Sequence, residues 1–180
     1  MEDYAYIIDY LAQGPLDRKY KREPVAYAVG DKEFKLLLLQ PKPGAILSIG
    51  ERVYIGKEIE KREKILHVKR RIGYRDLTSS AQNALPQILL EIVEKNEERF
   101  VNFFNGAESI STRFHALELL PTLGKKSMWA IVEERKKGPF KSFEDISKRV
   151  QAIRKPAKII AKRVENELSN ETEKYRLFTA

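Results

Sequence analysis

The residues with the clearest chemical potential in this sequence form a short turn ahead of an apolar run. Residues 121–126 read Pro-Thr-Leu-Gly-Lys-Lys, and the apolar spacing that follows predicts a helix opening with the two lysines. Unpaired backbone N–H groups and the positive end of a helix dipole attract anions, and lysines add charge that requires no particular base sequence. We therefore predict a phosphate-binding site formed by Thr122, Leu123, Gly124, Lys125 and Lys126.

The same stretch carries a resemblance to a known family. Residues 117–126, which read Leu-x-x-Leu-Pro-Thr-Leu-Gly-Lys-Lys, resemble the helix-hairpin-helix motif of many DNA- and RNA-binding proteins. The resemblance implies that the backbone amides of the hairpin hold a phosphate without reading bases. The sequence departs from the family pattern at Thr122, where a glycine is expected, and at Met128, where a small residue usually permits close helix packing. Thr122 matters more, because a Cβ hinders a positive φ.

A helix is predicted on each side of this hairpin. Ser109 or Ser111 is suited to cap the first helix, whose apolar face would carry Phe114, Leu117 and Leu120. The second helix would begin at the two lysines. This arrangement predicts a helix, a tight hairpin and a second helix over residues 110–136.

A second hairpin is predicted farther along the chain. Residues 138–146 resemble the link that joins two hairpins in tandem proteins, and residues 142–145 match a capping box. Pro156 suits the first turn of a last helix. Arg154 and Lys155 precede it and could extend the contacts to phosphates, although basic residues on a solvated helix face are the commoner case. Four helices in two hairpins are expected.

The first seventy residues read as short strands separated by Gly and Pro. Alternating apolar and polar residues predict five of them, at residues 4–11, 25–29, 34–39, 52–55 and 62–72. Five short strands in so little chain favour a small closed β-barrel of the OB or a related type. An SH3-like barrel would give nearly the same pattern.

Basic and aromatic residues of this barrel suggest a second binding surface. Single-stranded nucleic acid is bound by cations that follow phosphates and by rings that stack on bases. Alternation in the fifth strand places Leu66, Val68 and Ile72 on one face, and His67, Lys69 and Arg71 on the other, with Arg70 breaking the pattern. Tyrosines half-buried in a barrel are the alternative. The residues assigned to this surface are Arg52, Tyr54, Lys69, Arg70, Arg71 and Tyr74.

Between barrel and hairpins, the period of the apolar residues changes from two to nearly four. A helix beginning near Thr78, Ser79 or Ser80 is predicted, with Pro86 either opening its main part or kinking it. Three phenylalanines at helical spacing continue the apolar face to residue 104, and Asn105-Gly106 should end the helix. They are expected in the core.

Composition limits the classes of function. The formal net charge of +8 and the isoelectric point of about 9.5 favour an anionic partner such as RNA or DNA. With no cysteine, two distant histidines and no Walker A, G-x-G-x-x-G or H-E-x-x-H sequence, we expect no enzyme, cofactor or metal site. No apolar run is long enough to span a bilayer, and a signal-peptide pattern is absent from the first residues, so we expect a cytoplasmic protein without membrane contact.

The whole chain is similar to a little-characterised archaeal family that is predicted to bind nucleic acid through an OB-like barrel and a helix-hairpin-helix region. We predict an α+β protein with the barrel at 1–75, a connecting helical segment at 76–107 and tandem hairpins at 108–180. The resemblance implies a sequence-tolerant nucleic-acid-binding protein, with a ribosomal or RNA-processing protein as a further partner. The alternative is an interaction module in which structural hairpins and a basic surface dock an acidic protein.

Overall fold

Short strands form where the sequence alternates, and all five predicted strands are present. The computed structural model describes residues 1–17 and 22–180. Its strands are β1 (Tyr4–Leu11), β2 (Val25–Gly30), β3 (Leu36–Pro41), β4 (Arg52–Tyr54) and β5 (Ile65–Arg71). They form one sheet in the order β4-β1-β2-β3-β5, and every neighbouring pair is antiparallel.

The sheet is a curled half-barrel rather than a closed barrel. β4 and β5 lie at its two edges, and no pairing within residues 1–17 and 22–180 joins them. The Arg62 side chain connects the two edges instead. Its Nε donates to the Gly56 carbonyl oxygen at 2.8 Å and its Nη1 donates to the Leu66 carbonyl oxygen at 3.1 Å.

The sheet is buried on both faces along β2 and β3. Strands covered on both sides require apolar residues at nearly every position, which explains why these segments read as continuous apolar runs. Asp9 is buried on β1, where Thr78 Oγ1 donates a hydrogen bond to its carboxylate. The main core cluster of the sheet contains Ala5, Ile7, Ala26, Ala28, Leu37, Leu39, Leu47, Val53, Ile55 and Ile65.

Two irregularities in the β3–β5 pairing change which residues of β5 share a face. The register shifts between Leu38 and Leu39 and again between Gln40 and Pro41, so residues 66 and 69 have no direct partner. An extra residue in one strand reverses the alternation beyond it. Arg70 and His67 therefore share the face of Leu38 and Gln40, whereas Arg71 and Val68 share the face of Leu37 and Leu39. The predicted grouping of His67, Lys69 and Arg71 on one face is wrong, and Leu66 is exposed.

Five helices complete the α+β fold. They are α1 (Ser79–Lys95), α2 (Glu97–Gly106), α3 (Lys125–Lys136), α4 (Phe143–Arg149) and α5 (Pro156–Ser169). Thr78 caps α1, since its Oγ1 accepts the Ala81 N–H at 3.0 Å. Pro86 lies inside α1, so the option that it opens the helix is wrong. Phe100 and Phe104 of α2 are fully buried, as expected of core residues, whereas Phe103 is only half-buried.

The predicted helix ahead of the first hairpin is not formed. Residues 109 and 115 make an isolated antiparallel bridge, and only a 3₁₀ turn at Ala116–Leu119 follows. Ser111 Oγ accepts the N–H groups of Arg113 and Phe114 at 3.2 Å, a local turn that competes with helix formation. His115 then caps the short turn, and Pro121 lies just beyond it. The remaining segment is too short for an α-helix.

The chain divides into two compact units, residues 1–88 with 167–180 and residues 89–166. We call them the sheet unit and the hairpin unit. Within the sheet unit, residues 170–180 dock through Glu167 at the end of α5. Its fully buried carboxylate accepts the N–H groups of Leu177, Phe178 and Thr179 at 2.7 to 3.1 Å.

In the part of the chain that the structure describes, none of the helices has the length and the apolar composition needed to cross a bilayer.

Candidate nucleic-acid interface

The first hairpin adopts the backbone conformation of a glycine at a residue that is not glycine. Thr122 has a φ of 67°, in the left-handed region that β-branched residues rarely occupy. Such a conformation costs about 1 to 3 kcal/mol and persists only when the surrounding structure imposes it. Thr122 therefore takes, under strain, the positive φ that a glycine would take freely.

At the start of α3, after the hairpin, backbone N–H groups and two lysines have no partner in the part of the chain that the structure describes. Gly124 is the N-cap residue, no side chain caps the helix, and its first turn carries no acidic residue. The helical hydrogen bonds begin at the Met128 N–H, which donates to the Gly124 carbonyl oxygen at 3.0 Å. Lys125 and Lys126 are exposed, and neither ammonium has a hydrogen bond or ion pair within the described residues. This end of α3 presents positive charge and open N–H groups.

Apolar and polar anchors hold this hairpin from inside the hairpin unit. Leu120 and Leu123 are buried, and the Leu123 N–H donates to the Leu120 carbonyl oxygen at 3.2 Å. Arg163 of α5 donates from Nη1 to the Leu119 carbonyl oxygen at 3.2 Å. The residues of the turn therefore lie on a fixed support, and α5 is joined to the first hairpin.

His115 secures the turn before the hairpin as a neutral imidazole. Its Nδ1 accepts the Leu117 N–H at 3.1 Å, while its backbone N–H donates to the Glu118 carboxylate at 2.7 Å. Burial, together with the positive charge of Arg135, lowers the pKa of His115 below its ordinary value. Protonation would remove the acceptor that caps the turn.

The second hairpin joins α4 to α5 and also presents two cations. Ile153 is fully buried at its centre, and Ser147 Oγ donates to the Arg154 carbonyl oxygen at 3.0 Å. Pro156 occupies the first position of α5, as predicted. Arg154 and Lys155 are exposed, and their side chains have no partner among the described residues.

The link between the hairpins is organised by one arginine. Arg149 of α4 donates to the backbone carbonyl oxygens of Glu134 and Gly138 at 2.8 and 2.7 Å, and to the Glu134 carboxylate at 3.2 Å. Hydrogen bonds from Lys137 and then Arg149 lower the pKa of Glu134. Ser142 caps α4 as predicted, because its Oγ accepts the Asp145 N–H at 2.9 Å. The orientation of α3 relative to α4 is thus held by ionic and backbone contacts.

In the sheet unit, Arg52 and Tyr54 share one strand face, as the alternation predicted. Arg52 lies over the Tyr4 ring, 3.6 Å from its centroid, and Tyr4 packs edge-on against Tyr54 at 5.2 Å. The Arg52 guanidinium also pairs with Asp31 at 2.9 Å. A cavity of about 250 Å³ adjoins this group, and Lys61 and Lys64 also line it.

The three predicted cations of β5 have anionic or polar partners. Lys69 donates to Gln40 at 3.1 Å and lies 3.7 Å from the Glu23 carboxylate, and Arg70 lies 3.9 Å from Asp76. Arg71 donates to the Ala180 backbone oxygen. Tyr74 lies beyond β5, in a 3₁₀ turn at Tyr74–Asp76. The structure therefore brings Lys69, Arg70 and Arg71 together on one strand but on different faces.

Sequence reasoning assigns no role to Trp129. Residues 128–132 read as an apolar pattern, but only Met128 and Ile131 of α3 are buried. Trp129 is 57% exposed, one helical turn beyond the two lysines. The sequence does contain a signal for the exposure of Trp129, because helical spacing places residues 128 and 131 on one face of the helix and residue 129 on another.

Among the described residues, no group of three or more His, Asp and Glu side chains is placed to hold a metal ion.

Comparisons with known proteins identify relatives along the whole chain. A family model described as "Protein of unknown function (DUF655)" matches residues 1–180. The uncharacterized protein MJ0038 of Methanocaldococcus jannaschii is 46% identical over 178 residues, which cover 98% of this chain and 79% of that protein. The crystal structure of Af1531 from Archaeoglobus fulgidus, also assigned to the DUF655 family model, matches with a TM-score of 0.92 and 47% identity over 99% of this chain and 100% of that one. Both relatives are archaeal.

Proposed function

We propose that this chain, which belongs to the DUF655 family of proteins of unknown function, binds RNA or DNA through sequence-tolerant contacts to the phosphate backbone. The hairpin at residues 120–126 supplies the main contact. Contacts of this kind position a strand without reading its bases, so they require donors and positive charge but no base-specific side chain. The proposal contains no catalytic step.

The start of α3 is the observation that carries this proposal. A typical exposed helix end is capped by a side chain or flanked by acidic residues that complement the dipole. Here Gly124 provides no side chain, the first turn has no Asp or Glu, and Lys125 and Lys126 remain unpaired among the described residues. A phosphate would satisfy the open N–H groups and both ammonium groups at once.

The second hairpin supports a longer track. Arg154 and Lys155 repeat the combination of a tight turn, exposed cations and a following helix. Arg163 and Arg149 tie both hairpins into the hairpin unit. In our proposal the two turns act as a tandem helix-hairpin-helix pair in which a 3₁₀ turn replaces the first helix.

The half-barrel contributes a second, weaker surface in this proposal, used as OB-like folds use their sheets. Arg52 and Arg70 keep about half of their side-chain area exposed, at 46% and 59%. The Arg70–Asp76 pair is exposed on both sides, and such pairs contribute about 0 to 1 kcal/mol, so a phosphate can replace Asp76 at little cost, whereas the Asp31 partner of Arg52 is only 16% exposed. Tyr4 and Tyr54 offer rings beside Arg52.

The test is fluorescence anisotropy with single-stranded RNA, single-stranded DNA and duplex DNA of matched length, each over a salt series. Replacing Lys125 and Lys126 by Ala should weaken binding about tenfold. It should reduce the salt slope by about 1.8 for duplex DNA and about 1.4 for single strands, because each phosphate that is no longer neutralised accounts for about 0.9 or about 0.7 of the slope.

The matched control replaces Lys137 and Lys148, elsewhere in the hairpin unit, by Ala. Both are already paired, with Glu134 and Glu144, and the change in net charge is the same. Equal losses of affinity in the two double variants would mean that only overall charge matters. Weak, salt-insensitive binding by the wild-type chain would reject the proposal and favour a module that docks an acidic protein.

A further inference from the structure

We infer that Trp129 is a base-stacking residue that makes the hairpin unit bind unpaired rather than duplexed nucleic acid. The inference rests on the proposed function and deepens it, because backbone contacts alone do not separate single strands from duplexes.

Trp129 lies next to Lys125 and Lys126 on the surface of α3. Successive helical residues are about 100° apart, so Trp129 lies about 40° from Lys125 and about 60° from Lys126, between them and one turn farther along. Side chains with this spacing are neighbours, with Cβ atoms about 5 to 6 Å apart. A phosphate on the lysines would place the base of the same strand beside the indole.

The indole of Trp129 is exposed to solvent. Trp129 is 57% exposed, whereas Met128 and Ile131 on the inner face of α3 are 5% and 0% exposed. A tryptophan that leaves most of its ring in water contributes little to the core, and exposed aromatic rings are enriched where proteins bind partners. The indole also has no ring or cation contact within the described residues.

The charge around Trp129 favours a nucleotide over a protein surface as the ligand of this helix face. The exposed face around Trp129 contains Lys125, Lys126, Glu133 and Lys136, and the only acidic residue among them is neutralised by Lys136 at 2.8 Å. An apolar protein surface would gain nothing from two unpaired ammonium groups beside the ring. A nucleotide unit supplies both complements, an anionic phosphate and a flat π-face.

Duplex DNA fits this face less well. Its bases are stacked inside the helix, so an indole held beside the backbone would meet sugar edges instead of base faces. Unpaired bases in single strands, loops and bulges can splay out and stack on aromatic side chains.

The experiment uses the full chain and its single tryptophan, whose emission reports residue 129 alone. Titration with a single-stranded oligonucleotide should quench this emission, and a duplex of the same sequence should quench it little. A strand of abasic sites keeps the phosphates but removes the bases. It should bind with reduced affinity and without quenching.

Three variants measure the contribution of the ring. Trp129→Ala should weaken single-strand binding about 5- to 150-fold, which corresponds to about 1 to 3 kcal/mol per stacked base, and should barely affect duplex binding. Trp129→Phe should recover most of the affinity, whereas Trp129→Leu, apolar but without a ring, should not. Because the side chain is exposed, all three should unfold at the wild-type temperature.

The experiments separate base stacking on Trp129 from phosphate binding by Lys125 and Lys126. If the wild-type chain binds and the Lys125 and Lys126 variant weakens it, but Trp129→Ala binds like wild type, the stacking inference is overturned and the proposed function stands. The stacking inference would also be overturned if Trp129→Ala lost the same affinity for single strand and duplex, or if the abasic strand quenched the tryptophan emission. Absence of salt-dependent binding by the wild-type chain would reject both.

Discussion

The cations predicted to bind nucleic acid differ in their surroundings between the hairpin unit and the sheet unit. Lys125 and Lys126 in the first hairpin are exposed and have no partner among the described residues. In the sheet unit, Arg52 pairs with Asp31 and Arg70 lies near Asp76. A basic sequence segment is therefore a poor guide to a binding surface, because what matters is the positive charge left unpaired after folding.

The largest effect is expected from releasing residues 170–180, the segment whose Ala180 oxygen accepts a hydrogen bond from Arg71. Glu167→Ala should lower the free energy of unfolding of the sheet unit by about 3 kcal/mol or more, because three backbone N–H groups lose a buried charged acceptor. Denaturant unfolding measures this change, and hydrogen exchange at Leu177, Phe178 and Thr179 should become faster.

Glu171→Ala, at an exposed position nearby, is the matched control and should change the stability by less than about 0.5 kcal/mol. Release of the segment also removes the Ala180 partner from Arg71. Binding of nucleic acid by the sheet unit should then increase. If the affinity of the sheet unit for nucleic acid stayed the same, the Ala180 contact would not be what keeps Arg71 from binding.

The second prediction compares the two cation pairs directly. The double variant Lys125→Ala and Lys126→Ala should weaken nucleic-acid binding about tenfold. The double variant Arg70→Ala and Arg71→Ala should weaken it about threefold or less, since Asp76 and the Ala180 oxygen already occupy these two arginines and fewer counterions are released on binding. Anisotropy over a salt series measures both. The reverse ranking would transfer the main site to the half-barrel.

The third prediction concerns the pH dependence of the hairpin unit. The pKa of His115 is lowered in the folded chain, so the unfolded chain binds the proton more tightly. The stabilising contribution of the neutral cap is complete above the ordinary pKa of about 6.5 and is lost as the pH falls below it. Thermal unfolding at about pH 7.5 and about pH 5.5 should show lower stability at the lower pH.

Two variants isolate this effect. His115→Asn keeps a side-chain acceptor without a titratable group, so the part of the pH dependence due to residue 115 should disappear. His115→Ala removes the cap and should cost about 1 kcal/mol at neutral pH. His115→Ala should also weaken binding at the first hairpin, whereas His115→Asn should preserve it, and neither change should alter binding by Arg52. A pH dependence that persists unaltered in His115→Asn would exclude this histidine as its source.

The smallest effect is expected at Thr122. Thr122→Gly should relieve the strain of a positive φ, partly offset by the greater flexibility of glycine in the unfolded chain, for a net gain of up to about 1 kcal/mol. Urea unfolding measures it. Thr112→Gly, in an exposed turn of the same unit without a positive φ, should give no gain. A loss of stability in Thr122→Gly would show that the side chain makes a contact outweighing the strain.

Local signals were sufficient for most elements. Alternation with Gly and Pro breaks identified all five strands, Thr78 and Ser142 cap helices as predicted, and Pro156 begins α5. These features depend on interactions between residues close in sequence, such as caps, turns and the fixed φ of proline. The failure at residues 109–115 has a local cause too, since the turn around Ser111 competes with a helix whose apolar spacing looks favourable.

The candidate site was predictable only in part. The position of Lys125 and Lys126 at a helix start followed from the hairpin residues. The pairing of Arg70 with Asp76, and the split of β5 into two faces, depend on bulges and on neighbours that no spacing in the sequence reveals. Trp129 could have been separated from Met128 and Ile131 by strict helical periodicity.

The sequence by itself determined most of the elements, the basic character and the turn with its two lysines, because helix caps, alternation and glycine or proline turns act over a few residues. Only the tertiary structure decided that the sheet stays open between β4 and β5, that Thr122 accepts a strained φ, and which of the described cations have a partner. These outcomes depend on contacts between residues distant along the chain, such as Arg62 with Gly56 and Leu66, or Arg71 with Ala180. Contacts of this kind give Arg70 and Arg71 partners within the sheet unit, whereas Lys125 and Lys126 have none among the described residues.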